Sequence, residues 1–90
     1  MFIEPYKLGK TLIVSATTTA QDVEINGKYF YIQNISADKI IYFKEKLGAV
    51  ATSSNSINLS AGEAFPYLLT ANTLSVLGSG SGNVAIQFME

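Results

Sequence analysis

Apolar and polar positions alternate with a period of two along most of the chain, and this pattern predicts β-strands. β-Branched and aromatic residues are frequent in the alternating segments, and no window of eleven residues has the apolar stripe of an amphipathic helix. The predicted strands are 11–16, 23–25, 28–35, 40–44, 56–60, 63–70, 74–77 and 83–88. Seven or eight strands at roughly ten-residue spacing indicate an all-β fold, either a small antiparallel β-sandwich or a jelly-roll-like barrel.

Turn residues between these strands predict hairpins. Asn26-Gly27 offers the two positive-φ residues of a type I′ turn, so we expect the strands on either side of it to pair. Ser36–Lys39 is expected to form a second hairpin turn. The segment Gly78-Ser-Gly-Ser-Gly82 can take positive φ at three positions and is expected to close the last hairpin. Pro66 restricts its strand to a sheet edge or a bulge, and residues 45–55 are expected to be mostly loop.

The length of 90 residues allows one core and no second domain. We expect residues 11–90 to form a single β-sandwich domain, preceded by an N-terminal arm at residues 1–10. Glu4 and Pro5 precede any apolar run, so no secretory signal is expected. The chain has no Cys and no His, which removes disulfides and zinc as supplements to a small core. Self-association is the supplement that remains.

Charge and hydropathy exclude two kinds of partner. Six Lys and no Arg stand against seven acidic residues, so no basic surface for nucleic acid is expected. The apolar runs of about five residues are far shorter than the ~18 that span a membrane. We therefore expect neither a nucleic-acid nor a membrane partner.

The sequence shows no catalytic arrangement. Without His, a nucleophilic Ser or Thr would need Lys or a carboxylate as its base, but the Ser residues concentrate in turns and the Lys residues are scattered. Asp22 and Glu24 share one face of a strand, where they are expected to be solubility charges or at best a weak Ca²⁺ site. We predict no enzyme, no cofactor, and no catalytic or metal-ligating residue.

The central strands are apolar at consecutive positions, whereas a strand with one solvated face should alternate. The surplus apolar face is covered either by the N-terminal arm folding back or by another subunit, and an arm lying on a neighbouring copy combines the two. A platform that stacks sugars or bases is a third alternative. The residues predicted to form this interface are Phe2, Ile3, Tyr6, Tyr29, Tyr31, Ile41 and Phe43.

Several short segments carry a family resemblance. They are 31–36 (Tyr-Ile-Gln-Asn-Ile-Ser), 40–43 (Ile-Ile-Tyr-Phe), 57–63 (Ile-Asn-Leu-Ser-Ala-Gly-Glu), 74–77 (Leu-Ser-Val-Leu) and 84–87 (Val-Ala-Ile-Gln). Their order resembles the small β-sandwich virion proteins of tailed bacteriophages, of the capsid-decoration or head-fibre type. The resemblance implies a homotrimeric, jelly-roll-like subunit attached to a capsid or tail, without cofactor or catalytic residues.

These observations predict a non-enzymatic structural protein of a phage-like particle, located in the virion, that acts through homo-oligomer and protein-surface contacts. The alternative is a small carbohydrate- or cell-surface-binding module that uses exposed Tyr and Asn residues, with Tyr42 and Tyr67 as candidates. The alternative to a virion location is the cytoplasm.

Overall fold

The computed structural model describes residues 8–25 and 29–89, and side-chain surroundings within 11–25 and 29–88. These residues form eight β-strands and no helix, which confirms the all-β prediction, and so none of them forms a helix able to cross a membrane. The strands are β1 (Leu8–Ala16), β2 (Gln21–Glu24), β3 (Tyr29–Asn34), β4 (Ile41–Glu45), β5 (Ile57–Leu59), β6 (Ala64–Leu68), β7 (Thr73–Gly78) and β8 (Gly82–Met89). The first strand thus begins inside the segment predicted as an N-terminal arm.

The strands form two four-stranded antiparallel sheets. The first sheet has the order β1-β8-β3-β6 and the second has the order β2-β7-β4-β5. Along the chain, nearly every strand is followed by a strand of the opposite sheet. This is the arrangement of an eight-stranded jelly roll, in which two Greek keys form a sandwich. The predicted β-sandwich of jelly-roll type is therefore confirmed, and Pro66 lies in the edge strand β6 as expected.

The three predicted hairpins are wrong. β2 and β3 lie in different sheets, as do β3 and β4, and β7 and β8. The turns at 35–40 and 79–81 are therefore arches that carry the chain across the core, and Asn26-Gly27 lies outside the described residues. A turn sequence shows that the chain reverses direction. It does not show whether the next strand bonds to its predecessor or packs opposite it.

The glycines of segment 78–82 allow neighbouring parts of the chain to approach closely, and they do not adopt positive φ. Among the described residues, positive φ occurs at Gly48 and Gly62. A Cβ built at Gly82 would lie 2.8 Å from the Cβ of Ser36, because the arch after β3 packs directly against the start of β8. The expected use of positive φ is not found, since β7 and β8 do not form a tight hairpin.

Alternate residues of both sheets meet in the core between them. Ile41 and Phe43 of β4 have no exposed surface. The ring of Tyr67 from the first sheet packs edge-on against Phe43 of the second, with 5.7 Å between centroids. The structure thus corrects the prediction that Ile41 and Phe43 share an outer face with Tyr29 and Tyr31. A period of two separates the two faces of a strand but does not say which one points inward.

The side chain of Asn34 holds the arch between β3 and β4, and it is fully buried. Its Nδ2 donates hydrogen bonds to the carbonyl oxygens of Lys39, at 2.6 Å, and Leu59, at 2.9 Å. Its Oδ1 accepts hydrogen bonds from the backbone N of Ser36, at 2.9 Å, and from Ser36 Oγ, at 2.6 Å. One amide therefore joins the end of β3, the arch, and strand β5 of the opposite sheet.

We expect Asn34→Ala to lower the free energy of unfolding by about 3 kcal/mol, because several buried partners lose hydrogen bonds at roughly 1 to 3 kcal/mol each. Urea denaturation followed by far-UV circular dichroism measures the loss. Asn58→Ala is the matched control, since Asn58 is exposed on β5. The control should change stability by no more than about 0.5 kcal/mol. A loss below about 1 kcal/mol for Asn34→Ala would contradict this role.

Candidate interaction surface

The outer face of the first sheet carries no acidic or basic group among the side chains that the structure describes. Phe30 and Ile32 of β3 point into the core, so Tyr31 and Gln33 point outward, and the same alternation holds along the paired strands. We call this surface the neutral face. Its side chains are Thr11, Ile13 and Ser15 of β1, Asn83, Ala85 and Gln87 of β8, Tyr29, Tyr31 and Gln33 of β3, and Ala64, Pro66 and Leu68 of β6.

A shallow groove of about 420 Å³ crosses the neutral face. It forms because the strand register puts Gln33 between two alanines, Ala64 on one side and Ala85 on the other. The groove is lined by Tyr31, Gln33, Ala64, Ala85 and Gln87. Toward the two edges of the sheet lie Ile13, with 54% of its surface exposed, and Leu68, with 64% exposed. The surface therefore combines apolar groups with neutral amides.

The outer face of the second sheet is different, because the chain itself covers part of it. Ser75 points outward from β7 and yet is fully buried. Its Oγ accepts a hydrogen bond of 2.8 Å from the backbone N of Ala51, in the loop 46–56 that crosses this face. This face also carries charge, with Lys46 Nζ 2.7 Å from Asp22 Oδ2. Of the two outer faces, the neutral face is the one that the described chain leaves uncovered.

The predicted interface residues divide into three groups. Tyr29 and Tyr31 lie on the neutral face, and an interface role for them stays a prediction. Ile41 and Phe43 lie in the core. Phe2, Ile3 and Tyr6 lie outside the described residues.

Gln33, Ala85 and Gln87 belong to this surface, although the sequence pattern did not indicate them. Their strands, β3 and β8, are distant in sequence, and the absence of charge becomes visible only when the two lie side by side. The sequence signal for this surface is the lack of charged residues at the outward positions of each of these strands.

Glu45, at the end of β4, is the one described carboxylate with a strongly shifted pKa. Its Oε1 accepts hydrogen bonds from Thr70 N at 2.8 Å, Thr70 Oγ1 at 2.7 Å and Ala71 N at 2.7 Å. Its Oε2 accepts one of 2.8 Å from the hydroxyl of Tyr67. These donors stabilise the carboxylate and lower the pKa of Glu45 to about 2. The hydrogen bond from the Thr70 hydroxyl has the largest effect, and the one from the Ala71 N–H has the next largest.

Burial, followed by the hydrogen bond to Glu45, raises the pKa of Tyr67 to about 12. The pair is therefore a carboxylate and a protonated phenol at neutral pH, and both are engaged with each other. A general acid or base needs a pKa near the working pH, so this arrangement fits a structural clamp that ties β4 to the segment after β6. Tyr67 is not a free ring for a ligand either, since it packs against Phe30 and Phe43.

The described residues contain no group of three or more His, Cys, Asp or Glu side chains placed to hold a metal ion. Asp22, which the sequence offered for a weak Ca²⁺ site, forms an ion pair with Lys46 at 2.7 Å. Glu24 is exposed on the same strand.

The described residues therefore form a small jelly-roll domain in which they leave one uncharged sheet face uncovered. No protein-family model matches the chain, and no curated protein matches it. Its fold is similar to that of a solved structure of Bacillus endospore appendages, which are described as a novel family of disulfide-linked pili. The TM-score is 0.51 at 14% sequence identity, and the match covers 92% of this chain and 87% of that chain. At this identity the likeness shows a common fold.

We expect Glu45→Gln to lower the unfolding free energy at pH 7 by about 1 to 2 kcal/mol, because charge-assisted hydrogen bonds weaken and solvent already screens the half-buried carboxylate. The folded pKa of about 2 lies below the ordinary 4.5. The stabilisation is therefore present above pH 4.5 and is lost as the pH falls from 4.5 toward 2.

Urea midpoints of both chains between pH 7 and pH 2 measure this effect, and the gap between them should close at the acidic end. Glu24→Gln, on an exposed part of β2, controls for the loss of one negative charge. A gap of constant size over the whole pH range would contradict the clamp.

Proposed function

We propose that this chain is a non-enzymatic structural subunit of a larger protein assembly and that it contacts copies of itself through the neutral face. The observation that carries the proposal is a sheet face on which the described side chains are uncharged and which the described residues leave uncovered. Interface cores are depleted of charged residues and enriched in Tyr. Burying this face avoids the cost of desolvating charges, which the opposite outer face would incur at Asp22 and Lys46.

Because the domain is small, burial of this face in an interface can add substantially to its stability. A chain of 90 residues without disulfides has a small core and a small net stability. Several hundred Å² of apolar surface, at about 25 cal/mol per Å², contribute several kcal/mol before association costs. Assembly can therefore stabilise the subunit as well as build the larger structure.

The fold likeness to a pilus structure supports a structural subunit of an assembled particle or appendage. The disulfide linkage described for those pili does not extend to this chain, since it has no Cys. A phage-like particle, with the chain as a capsid-decoration, head-fibre or tail-associated subunit and a trimer as the favoured state, remains our more specific proposal. It rests on the resemblance in segments such as 31–36 and 57–63.

Tyr31→Lys tests the neutral face. A lysine in this groove would have to be desolvated on association, so we expect the dissociation constant of the self-associated form to rise at least tenfold, or about 1.4 kcal/mol. Sedimentation velocity over a concentration series measures it. Leu47→Lys is the matched control, because Leu47 is 72% exposed on the loop after β4, away from the neutral face.

The control should associate like the unmodified chain, and both variants should keep its urea midpoint when diluted to monomers. A monodisperse monomer of the unmodified chain at high micromolar concentration would overturn the proposal. Equal loss of association in the two variants would place the contact elsewhere.

A second candidate function is binding of a neutral saccharide, and the groove is the observation that favours it. The Tyr31 ring can stack on a sugar face. Gln33 lines the same groove, and although its Nε2 donates to Gly62 O at 3.2 Å, its Oε1 can accept a hydrogen bond from a sugar hydroxyl. The absence of charge fits an uncharged sugar. This candidate uses Tyr31 and not Tyr67 or Tyr42, because Tyr67 is engaged with Glu45 and Tyr42 lies on the opposite outer face.

A glycan array followed by calorimetry tests the saccharide candidate. Monomeric chain should bind an uncharged glycan, Tyr31→Ala should lose that binding at least tenfold, and Tyr42→Ala should keep it. Equal binding by all three chains, or none by the unmodified chain, would reject it.

A further inference from the structure

Each sheet ends in two edge strands, so the described sandwich has four: β1 and β6 in the first sheet, β2 and β5 in the second. An edge strand presents unpaired N–H and C=O groups that can bond to another strand unless something blocks them. The four edges differ in what blocks them.

Backbone hydrogen bonds show which groups of β1 point outward. Ile35 N donates to Asn83 O at 3.1 Å, so Asn83 of β8 faces β3. Neighbouring residues of a strand face opposite sides, and therefore Val84 and Ile86 face β1. They lie opposite Val14 and Leu12, respectively. Leu12 and Val14 therefore use their backbone groups to bond to β8. The alternate residues of β1 are Thr11, Ile13 and Ser15, and their backbone N–H and C=O groups point away from the sheet.

The direction of the backbone hydrogen bonds also shows that the edge at β6 is blocked. Asn34 N donates to Glu63 O and Asn34 O accepts from Gly62 N, so Asn34 faces the β6 side. Alternation then turns Phe65 and Tyr67 toward β3 and leaves Pro66 facing the free edge. Proline has no N–H, so the middle of this edge offers no donor.

Both edges of the second sheet are blocked as well. Gly78 N donates to Thr17 O at 2.8 Å, so Gly78, and by alternation Leu74 and Val76, face β2. The outward groups of β2 therefore belong to Asp22 and Glu24, whose charges oppose strand addition. β5 has three residues, and only its middle one faces outward.

β1 is nine residues long, and Lys10 and an irregular register lie near its start, before Thr11. From Thr11 to Ser15 the described strand has none of these protections, and Thr11, Ile13 and Ser15 offer both a donor and an acceptor at the edge. Their side chains are uncharged, and Ile13 is 54% exposed on the neutral face. An uncharged and unblocked stretch of edge strand is the type of edge that adds a strand from another chain.

We propose that β1 pairs antiparallel with β1 of a second copy, across a twofold axis beside Ile13, so that two first sheets become one continuous sheet. A strand that pairs with β1 must itself have an unblocked edge. Among the described edges of this chain only β1 has one, so we take the partner to be β1 of a second copy. Pairing a strand with itself is self-complementary and closes as a dimer. The proposal rests on the self-association proposed above.

With the twofold axis beside Ile13, all three outward residues of β1 pair with the second copy. Ile13 faces Ile13 of the second copy, and Thr11 faces Ser15, in each case as a hydrogen-bonded pair. The two exposed Ile13 side chains then cover each other on the neutral face, which continues across both copies. A twofold pair gives dimers or multiples of dimers, so it is an alternative to the trimer that the phage resemblance implies, and a trimeric mass in sedimentation experiments would overturn the β1 pairing.

Single-cysteine variants test the register, because the chain has no cysteine of its own. In a hydrogen-bonded antiparallel pair the facing Cα atoms are about 5.5 Å apart, which a disulfide can bridge. Under mild oxidation Ile13→Cys should give a disulfide-linked dimer. Thr11→Cys and Ser15→Cys are the matched controls: each should stay unlinked alone, and the two mixed should link to each other. Non-reducing electrophoresis and mass spectrometry measure the products.

Ile13→Pro tests the edge without a disulfide. The N–H of Ile13 points away from β8, so proline removes no hydrogen bond within the subunit, as at Pro66 in β6. We expect the dissociation constant of the dimer to rise at least a hundredfold in sedimentation experiments, with the circular dichroism spectrum unchanged. If this variant fails to fold, Ile13→Lys replaces it, with the same expected direction.

The outcomes separate the two proposals. Self-association of the unmodified chain without linkage of Ile13→Cys, or linkage of Thr11→Cys alone, overturns the β1 pairing and leaves the structural function standing. Undiminished dimers in a folded Ile13→Pro or Ile13→Lys overturn the pairing as well. A monomer at high micromolar concentration overturns both.

Discussion

The buried amide of Asn34 is the interaction on which this jelly roll depends most. It lies where the chain leaves the first sheet, and its four hydrogen bonds reach the arch and strand β5 of the opposite sheet. A buried amide is costly unless all its groups are paired. In the observed conformation of the arch the amide is fully paired, and this conformation sends the chain across the core. Glu45 acts similarly at the end of β4, where it collects three donors around Thr70 and Ala71.

This crossing of the core has a direct consequence for function. Because nearly all consecutive strands alternate between the sheets, the first sheet is assembled from β1, β8, β3 and β6, which are distant in sequence. Their uncharged outward positions then adjoin and form the neutral face. The loop 46–56 covers part of the other outer face through Ala51 and Ser75. Within the described residues, one outer face is therefore charged and partly covered, and the other is neutral and uncovered.

Among the described residues, the two side chains with strongly shifted pKa values are tied into the fold. Glu45 and Tyr67, the pair with the strongest pKa shifts, are held in the protonation states that bond each other best. The remaining distinctive features, the neutral face and the unblocked edge of β1, are both suited to contacts with other protein surfaces. The likeness to a pilus structure is a likeness of fold. If copies associate through these features as proposed, the contacts also add stability to a small domain without disulfides.

The sequence by itself determined the all-β class, the positions of nearly all strands, and the edge location of Pro66, because alternation and proline act locally. Only the tertiary structure decided that the turn at 36–39 is an arch, since its conformation depends on Asn34 bonding to Leu59, far along the chain. It also decided that Ile41 and Phe43 point inward, because alternation is symmetric between the two faces of a strand. The neutral face and the free edge of β1 arise from strand pairing over long sequence separations, which no local pattern encodes.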